Sequence, residues 1–286
     1  MPLDYALHRA EKIDHGLLYS LIDDDDCRQH RHLDWHSPID WLGEQPFWLL
    51  IKNQHARAAL ACPADPPGIA WIRLFAITSQ LRPLPTWNIL FQKALEDYQN
   101  DSNVLFASVA LQKWYADLLT DAGFSLYQYI VVLSWQNDAP ALRTLPPGVS
   151  IRRMESSDLE AVSRMDQNSF ERLWQNSLNV ITCSYKQSNY ATVAEKDGQL
   201  IGFQISSSSF ESAHLARLAV LPPYQGAGIG SSLVYNLLEH YYHDLGIRRI
   251  TVNTQSSNHA SLALYEKIGF KPTGEHFPVF TLQNVL

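Results

Sequence analysis

Cysteine, positive charge and long apolar runs are all scarce in this chain, and each scarcity excludes a class of protein. Three cysteines occur among 286 residues, Cys27, Cys62 and Cys183. They are odd in number, far apart and in no metal-ligand spacing, which argues against a disulfide-stapled secreted scaffold or a zinc ribbon. They read as ordinary thiols of a reducing compartment, so a cytoplasmic location is expected. Lys and Arg total 22 against 29 Asp and Glu, a formal net charge of −7. A polyanion binder needs the opposite sign, so nucleic acid is not an expected partner. No apolar run nears the roughly 18 residues of a membrane span. Met1 to Ala10 lacks the basic and apolar segments of a signal peptide. No membrane partner is expected either. Glycine is sparse too: 13 in all, with none between Gly68 and Gly123.

What is present is material for packed cores. Hydrophobic residues make up 46% and charged residues 18%, and the length suits two domains of about 140 residues. The clearest seam is Gln136 to Gly148, QNDAPALRTLPPG, whose prolines and Asn-Asp pair leave no helical or strand period. A boundary near residue 145 is expected, giving domains 1–145 and 146–286.

The second half reads as alternating elements. Ser157 or Asp158 can cap a helix through Leu159, Val162 and Met165. Tyr190–Glu195 and Leu200–Ile205 are strands joined by the Asp197-Gly198 hairpin signal. A strand from about Ala213 to Leu221 ends at Pro222-Pro223, and a helix spans Ser231 to His243 with Leu233, Leu237, Leu238, Tyr241 and Leu245 on its apolar face. Arg249–Asn253 is a buried strand, and a helix from His259 stops at Gly269.

The first half repeats this tail without its glycines. Trp71-Ile-Arg-Leu-Phe-Ala-Ile77 resembles His214-Leu-Ala-Arg-Leu-Ala-Val220. Ala122-Gly123-Phe124 matches Ile268-Gly269-Phe270, and the two layouts differ in length by only a short loop. Two divergent copies of one α+β unit explain this pattern.

The most informative segment is Leu218-Ala-Val-Leu-Pro-Pro-Tyr-Gln-Gly-Ala-Gly-Ile-Gly-Ser231. A strand enters, a turn with three alternating glycines follows, and a helix leaves. Gly226, Gly228 and Gly230 can take backbone angles closed to residues with a Cβ, so successive N–H groups can point into one concavity. The helix adds its unpaired first-turn N–H groups and the positive end of its dipole, which together suit a phosphate or pyrophosphate. A nucleotide P-loop would need Lys between Gly230 and Ser231. The dinucleotide fingerprint G-x-G-x-x-G would need Gly at position 231. The pattern Q/R-x-x-G-x-G/A fits, as Gln225-Gly-Ala-Gly228-Ile-Gly230.

With this turn, Leu218-Ala-Val220 before it, and Asn258-His-Ala-Ser-Leu-Ala-Leu-Tyr265 ahead of Gly269-Phe270, the chain resembles the GCN5-related N-acetyltransferase (GNAT) superfamily. The resemblance covers residues 148 to about 275 closely and the first half in outline. It implies an α+β, three-layer α/β/α architecture: two domains, each a twisted, mostly antiparallel sheet flanked by helices, with splayed central strands. It also implies acetyl transfer from acetyl-CoA, as co-substrate, to a primary amine on a small molecule or peptide, with no metal.

The roles implied for particular residues come from the same resemblance. The backbone of Leu218, Ala219 and Val220 would pair with the pantetheine arm. The turn Gln225, Gly226, Ala227, Gly228, Ile229, Gly230 and Ser231 would hold the pyrophosphate. The strands carrying Ala219 and Val252 would splay apart, and Asn258 would meet the arm. An oxyanion needs a donor, most simply the N–H of Leu218 or a neighbour. Tyr265 would protonate the departing thiolate. His214 stands where some members carry a glutamate base, with Ala216 and Leu218 on its face of the strand by alternation. Glu211 or a water relay is the alternative. On the acceptor side, Asp166 or Glu171 could attract a cationic amine, and Phe170 and Trp174 could wall the slot, with the loop continuing to Asn189.

In the first copy the turn is Ser79-Gln-Leu-Arg-Pro-Leu-Pro85, whose prolines remove N–H donors, and Leu119 occupies the place of Tyr265. That copy is expected not to bind CoA. Asp23 to Asp26 followed by Cys27-Arg-Gln-His30 reads as a solvated loop rather than a metal cluster. Two other functions stay open, a non-catalytic acyl-CoA sensor and a scaffold. Homodimer formation is left open as well.

Overall fold

The computed structural model describes residues 4–101, 103–136, 139–140 and 144–283. Of the expected linker, residues 137, 138 and 141–143 lie outside the described residues, as do the outermost residues of both expected domains. The chain forms two compact units, Met1–Gln128 with Phe277–Leu286, and Tyr129–His276. These divisions differ from the 145/146 boundary expected from the proline-rich seam. A seam in composition reflects local sequence alone, whereas a unit is set by hydrogen-bond partners. Here the strand before the seam completes the second unit's sheet, and the last strand completes a ladder of the first unit.

The first unit contains β1 (Ala6–Arg9), α1 (His15–Ile22), β2 (Cys27–Arg31), β3 (Phe47–Lys52), β4 (His55–Ala61), β5 (Ile69–Trp71), β6 (Leu74–Thr78), α2 (Pro83–Asp97), β7 (Leu105–Val109), α3 (Lys113–Asp121) and the start of β8 (Ser125–Trp135). Its five-stranded sheet runs β1-β3-β4-β6-β2, antiparallel throughout. The stretch 71–77, which the repeat aligns with residues 214–220 of one strand, is here divided between two strands, with Ile72 and Arg73 between them. Before the break β5 runs parallel to β7, pairing Trp71 with Ala107. After it β6 turns to β4, and its other edge is taken by β2, pairing Cys27 with Thr78 through Arg31 with Leu74. Aromatic side chains fill the core, with Phe75, Trp87, Phe91, Phe106, Tyr115 and Phe124 packed ring on ring. Asp23 to Asp26 are exposed.

The second unit contains the remainder of β8, then β9 (Val149–Arg153), α4 (Leu159–Ser169), α5 (Leu178–Gln187), β10 (Tyr190–Lys196), β11 (Gln199–Ser208), β12 (Ser212–Val220), α6 (Ile229–Glu239), β13 (Arg249–Gln255), α7 (His259–Ile268) and β14, which begins at Lys271 and ends at Gln283. Its sheet runs β9-β10-β11-β12-β13-β8. Every pair is antiparallel except β12 with β13. Residues 279–283 of β14 pair with β7 of the first unit's ladder. Helices α6 and α7 cover one face, burying Leu233, Leu237, Leu238, Tyr265 and Ile268. The mixed α/β architecture expected from the sequence is thus present, with one parallel step in each unit.

Two local readings change. Residues 178–187, expected as loop, form α5. Its signal was Ser177, whose hydroxyl accepts from Val180 N at 3.2 Å, but the β-branched Val180, Ile181 and Thr182 disguised the helical period. The helix expected to run to His243 ends at Glu239 and continues as a π turn, His240–Asp244. The wider turn rotates the residues beyond it, so Leu245 is 53% exposed instead of lying on the apolar face. No helix among the described residues is long and apolar enough to cross a membrane.

Candidate active site

The second unit's sheet opens into a fork. Parallel pairing of β12 with β13 runs from Ser212/Arg249 to Leu215/Val252 and then stops, while both strands continue. On its other side β12 stays bonded to β11 as far as Val220 opposite Gly202. Leu221 N donates to Ile201 O at 2.9 Å in the same register. Antiparallel ladders alternate, so Arg217, Ala219 and Leu221 direct their main-chain groups to β11, and Leu218 and Val220 direct theirs into the fork. The Val220 carbonyl accepts from Gln225 Nε2 at 2.9 Å. The N–H and C=O of Leu218 meet no acceptor or donor among the described residues.

A bulge changes which side chains share a face. Arg217 stands opposite Ile205 but Leu215 opposite Ser206, which leaves Ala216 as the extra residue. Leu218 consequently packs with the cluster of Ala213 and Leu215 on the α6–α7 side. The face expected to hold His214, Ala216 and Leu218 together is therefore corrected. His214 and Arg217 lie on the side of α4, and Leu218 on the side of Tyr265.

Beyond β12, a short 3-10 turn, Pro222–Tyr224, leads to the glycines. Gly226 has φ +76° and Gly228 has φ +86°, in the left-handed region that side chains with a Cβ avoid. Gly230 differs from expectation. Its φ is ordinary, and its role is close packing: a Cβ there would meet Leu264 Cδ1 at 3.3 Å and Val220 Cγ2 at 3.7 Å. Gly228 caps α6, and Ser232 N is the first helical donor, to Gly228 O at 3.0 Å. Among the described residues, none of the N–H groups from Gly226 to Ser231 meets a protein acceptor. Gln225 to Gly228 are exposed. Six consecutive open donors at the positive end of an 11-residue helix form an anion cradle. In it Gln225 fastens the turn through Val220, while the main chain of 226–231 faces outward.

Asn258 caps α7, its Oδ1 accepting from Ser261 N at 3.1 Å, while Nδ2 donates to Gln255 at 3.4 Å. Tyr265, on the same helix, is 4% exposed and packs on Phe270 with ring centroids 5.5 Å apart. No protein group among the described residues bonds its hydroxyl. Burial pushes its pKa well above the usual phenol range, so it carries its proton at neutral pH. His214 sits at the root of the fork opposite Thr251. His214 Nδ1 lies 2.9 Å from Thr251 Oγ1, which also lies 3.3 Å from Ala213 O, and the Asn253 side chain is a further hydrogen-bond partner of the ring. Burial lowers the imidazole pKa, offset in part by the Asn253 side chain, which keeps the ring neutral. Glu211 is exposed in the hairpin at the opposite end of β12 from the fork.

The acceptor side needs its own correction. Asp166 is fully buried, and Arg217 grips it with two bonds, Nε to Oδ2 at 2.6 Å and Nη2 to Oδ1 at 2.8 Å. Its Oδ1 also accepts from Asn176 N at 2.8 Å. That carboxylate is neutralised and has no charge to offer a cationic amine. Glu171, in contrast, is exposed. The Arg217 guanidinium lies 3.5 Å from the centre of the Phe170 ring and donates to Trp174 O at 2.6 Å. Sequence reasoning missed Arg217. Its signal was a lone arginine in the apolar run Leu215–Val220.

Residues 157–270 match the model of the Acetyltransferase (GNAT) family. Over 121 residues the chain is 28% identical to an uncharacterized N-acetyltransferase of Methanocaldococcus jannaschii, covering 42% of this chain and 77% of that protein. It is 26% identical over 121 residues to the ribosomal protein bS18-alanine N-acetyltransferase of Escherichia coli, covering 42% and 80%. Likeness of fold extends over the whole chain. A tandem GNAT protein from the clavulanic acid biosynthesis pathway superposes with a TM-score of 0.67 at 15% identity, covering 98% of this chain and 99% of that one. A GCN5-related N-acetyltransferase from Sphaerobacter thermophilus gives 0.64 at 15%, covering 100% and 98%. Residues 157–270 thus form a GNAT acetyltransferase domain, which together with the N-acetyltransferase relatives supports an acyltransferase. Among the described residues no group of three His, Cys, Asp or Glu side chains could hold a metal ion.

Proposed function

We propose that this protein is an acetyl-CoA-dependent N-acetyltransferase that passes the acetyl group directly to a primary amine, on a small molecule or a peptide, at the fork of its second unit. The observation that carries this reading is the juxtaposition of two sets of open main-chain groups, those of Leu218 in the fork and those of Gly226 to Ser231 in the turn. The first suits an extended amide-bearing arm added as a strand, and the second a diphosphate. Acetyl-CoA has both, and when bound it supplies a thioester-activated acetyl group.

The chain's own residues then divide the remaining work. Leu218 N–H is positioned to donate to a carbonyl oxygen on which charge develops. Tyr265 keeps its proton at neutral pH and can give it to a departing thiolate. The attacking amine must be neutral, although a free alkylamine near pKa 10 is mostly protonated at pH 7. The neutral imidazole of His214 can accept its proton directly or through a water. Phe170 and Trp174 wall the acceptor side. The exposure of Glu211 at the far hairpin makes it the weaker candidate for base.

Calorimetry with CoA followed by thiol release from acetyl-CoA tests the reading. The expected outcome is one CoA per chain and thiol release with at least one of spermidine, glucosamine and an alanine-initiated hexapeptide. Absence of binding heat would overturn the site. Saturable binding without release for any amine would favour the non-catalytic sensor.

A further inference from the structure

The strand that faces the fork also anchors the opposite wall, through one side chain. Arg217 is next to Leu218, yet its guanidinium reaches three residues of the segment 166–176. It bonds both oxygens of Asp166 on α4 and the carbonyl of Trp174, and it stacks on Phe170. Asp166 in turn holds Asn176 N. The pair is sheltered: the Arg217 side chain is 16% exposed and Asp166 is 0% exposed. A planar guanidinium can make two parallel bonds to a carboxylate, a third bond to a carbonyl and a ring stack at once, and an ammonium cannot.

We infer that Arg217 is a positioning residue that holds the acceptor wall, Phe170 to Asn176, in register with the fork, so that acceptor binding depends on its guanidinium geometry and CoA binding does not. The inference rests on the reading of this face as the acceptor side. Its physical basis is that an unanchored wall, built from a strand-like turn and a short 3-10 segment, Arg172–Trp174, has little of its own secondary structure to hold it. Small displacements of a substrate wall reduce productive binding steeply.

The test uses the full chain carrying Arg217→Lys, and a second variant, Asp166→Leu with Arg217→Met, in which an apolar pair of similar volume replaces the buried ions and preserves folding. In both, amide exchange over residues 170–177 is expected to quicken at least tenfold, with exchange in α6 and the CoA Kd unchanged within twofold. For whichever of spermidine, glucosamine and an alanine-initiated hexapeptide the parent protein acetylates, KM for the amine should rise about tenfold while kcat falls less than threefold. Unchanged exchange over 170–177 overturns the inference, and so does an exchange increase that spreads into α6. A local exchange increase with an unchanged amine KM also overturns it. Failure of the parent protein to bind CoA would instead count against the proposed function, and the exchange measurement would still decide the anchoring.

Discussion

The two units share a strand plan up to the fork and part company in what meets it. In the second unit, β12 leaves Leu218 and Val220 with main-chain groups directed away from β11, and no strand among the described residues pairs with β12 on that edge beyond Leu215. In the first unit, β6 presents the corresponding edge to β2. His32 N donates to Arg73 O at 3.0 Å, which places Arg73, Phe75 and Ile77 in the bonded pairs of that ladder. Phe75 and Ile77 stand where the sequence repeat puts Leu218 and Val220. The protein's own strand therefore makes in one unit the bonds that the other unit leaves open at Leu218. The turns diverge in parallel. Positions 226–231 offer six open N–H groups, whereas α2 begins Pro83-Leu84-Pro85, with two of the three N–H groups removed and Thr86 N bonded to Arg82 O at 3.3 Å. Leu119, wholly buried, stands in the place of Tyr265. The comparison teaches that one sheet plan leaves this edge open or fills it according to what the connection between β9 and β10, or between β1 and β3, becomes. In the second unit that connection ends in α5. In the first it includes β2.

The widest gap between the units should lie in the turn. Gly228→Val forces a β-branched residue into φ +86° and is expected to weaken CoA binding by 100-fold or more, about 2.7 kcal/mol, with the unfolding midpoint lowered only modestly. Calorimetry at normal affinity would remove the turn from the comparison. Next in size, Tyr265→Phe should lower kcat about 50-fold, near the lower range for loss of a general acid, with CoA affinity within threefold because the ring still packs on Phe270. An unchanged turnover would make Tyr265 as structural as Leu119.

The smallest effect concerns the first unit's filled fork. His30, on β2, is buried against Tyr115 with ring centroids 3.9 Å apart, and burial lowers its pKa to about 4. The unfolded chain takes up the proton near pH 6.5, and the folded chain resists until about pH 4. Stability therefore falls as pH drops from 6.5 to 4 and loses nothing further to this group below that. At pH 5 the loss is about 2 kcal/mol. Protection against amide exchange should fall in β2 at pH 5 before it falls in α6, and replacing His30 together with the neighbouring His32, whose pKa burial also lowers, by Gln should flatten that dependence. Simultaneous loosening of both elements at pH 5 would mean that β2 is not the acid-sensitive part.

Much of the candidate site could be read along the chain because it depends on local backbone chemistry. The φ values of Gly226 and Gly228 and the left-handed stop at Gly269 are each properties of a few consecutive residues, whereas Asn258, read as a contact for a ligand arm, caps α7. What escaped the reading depends on partners far apart in sequence. Asp166 read as a free acid until Arg217, 51 positions away, took both its oxygens. The bulge at Ala216 reversed the faces of Leu218 and His214 relative to simple alternation, since a bulge is fixed by the register of the neighbouring strand. Nothing local to Cys27–Arg31 announces that it pairs with β6.

By itself, then, the sequence determined a duplicated α+β chain with a main-chain anion cradle in its second copy, because glycine, proline and cap residues act within one turn. Tertiary structure alone decided which edges stayed open, where the units divide and that Asp166 is neutralised. Those outcomes are set by hydrogen bonds and ion pairs between strands and helices that only the folded chain brings together.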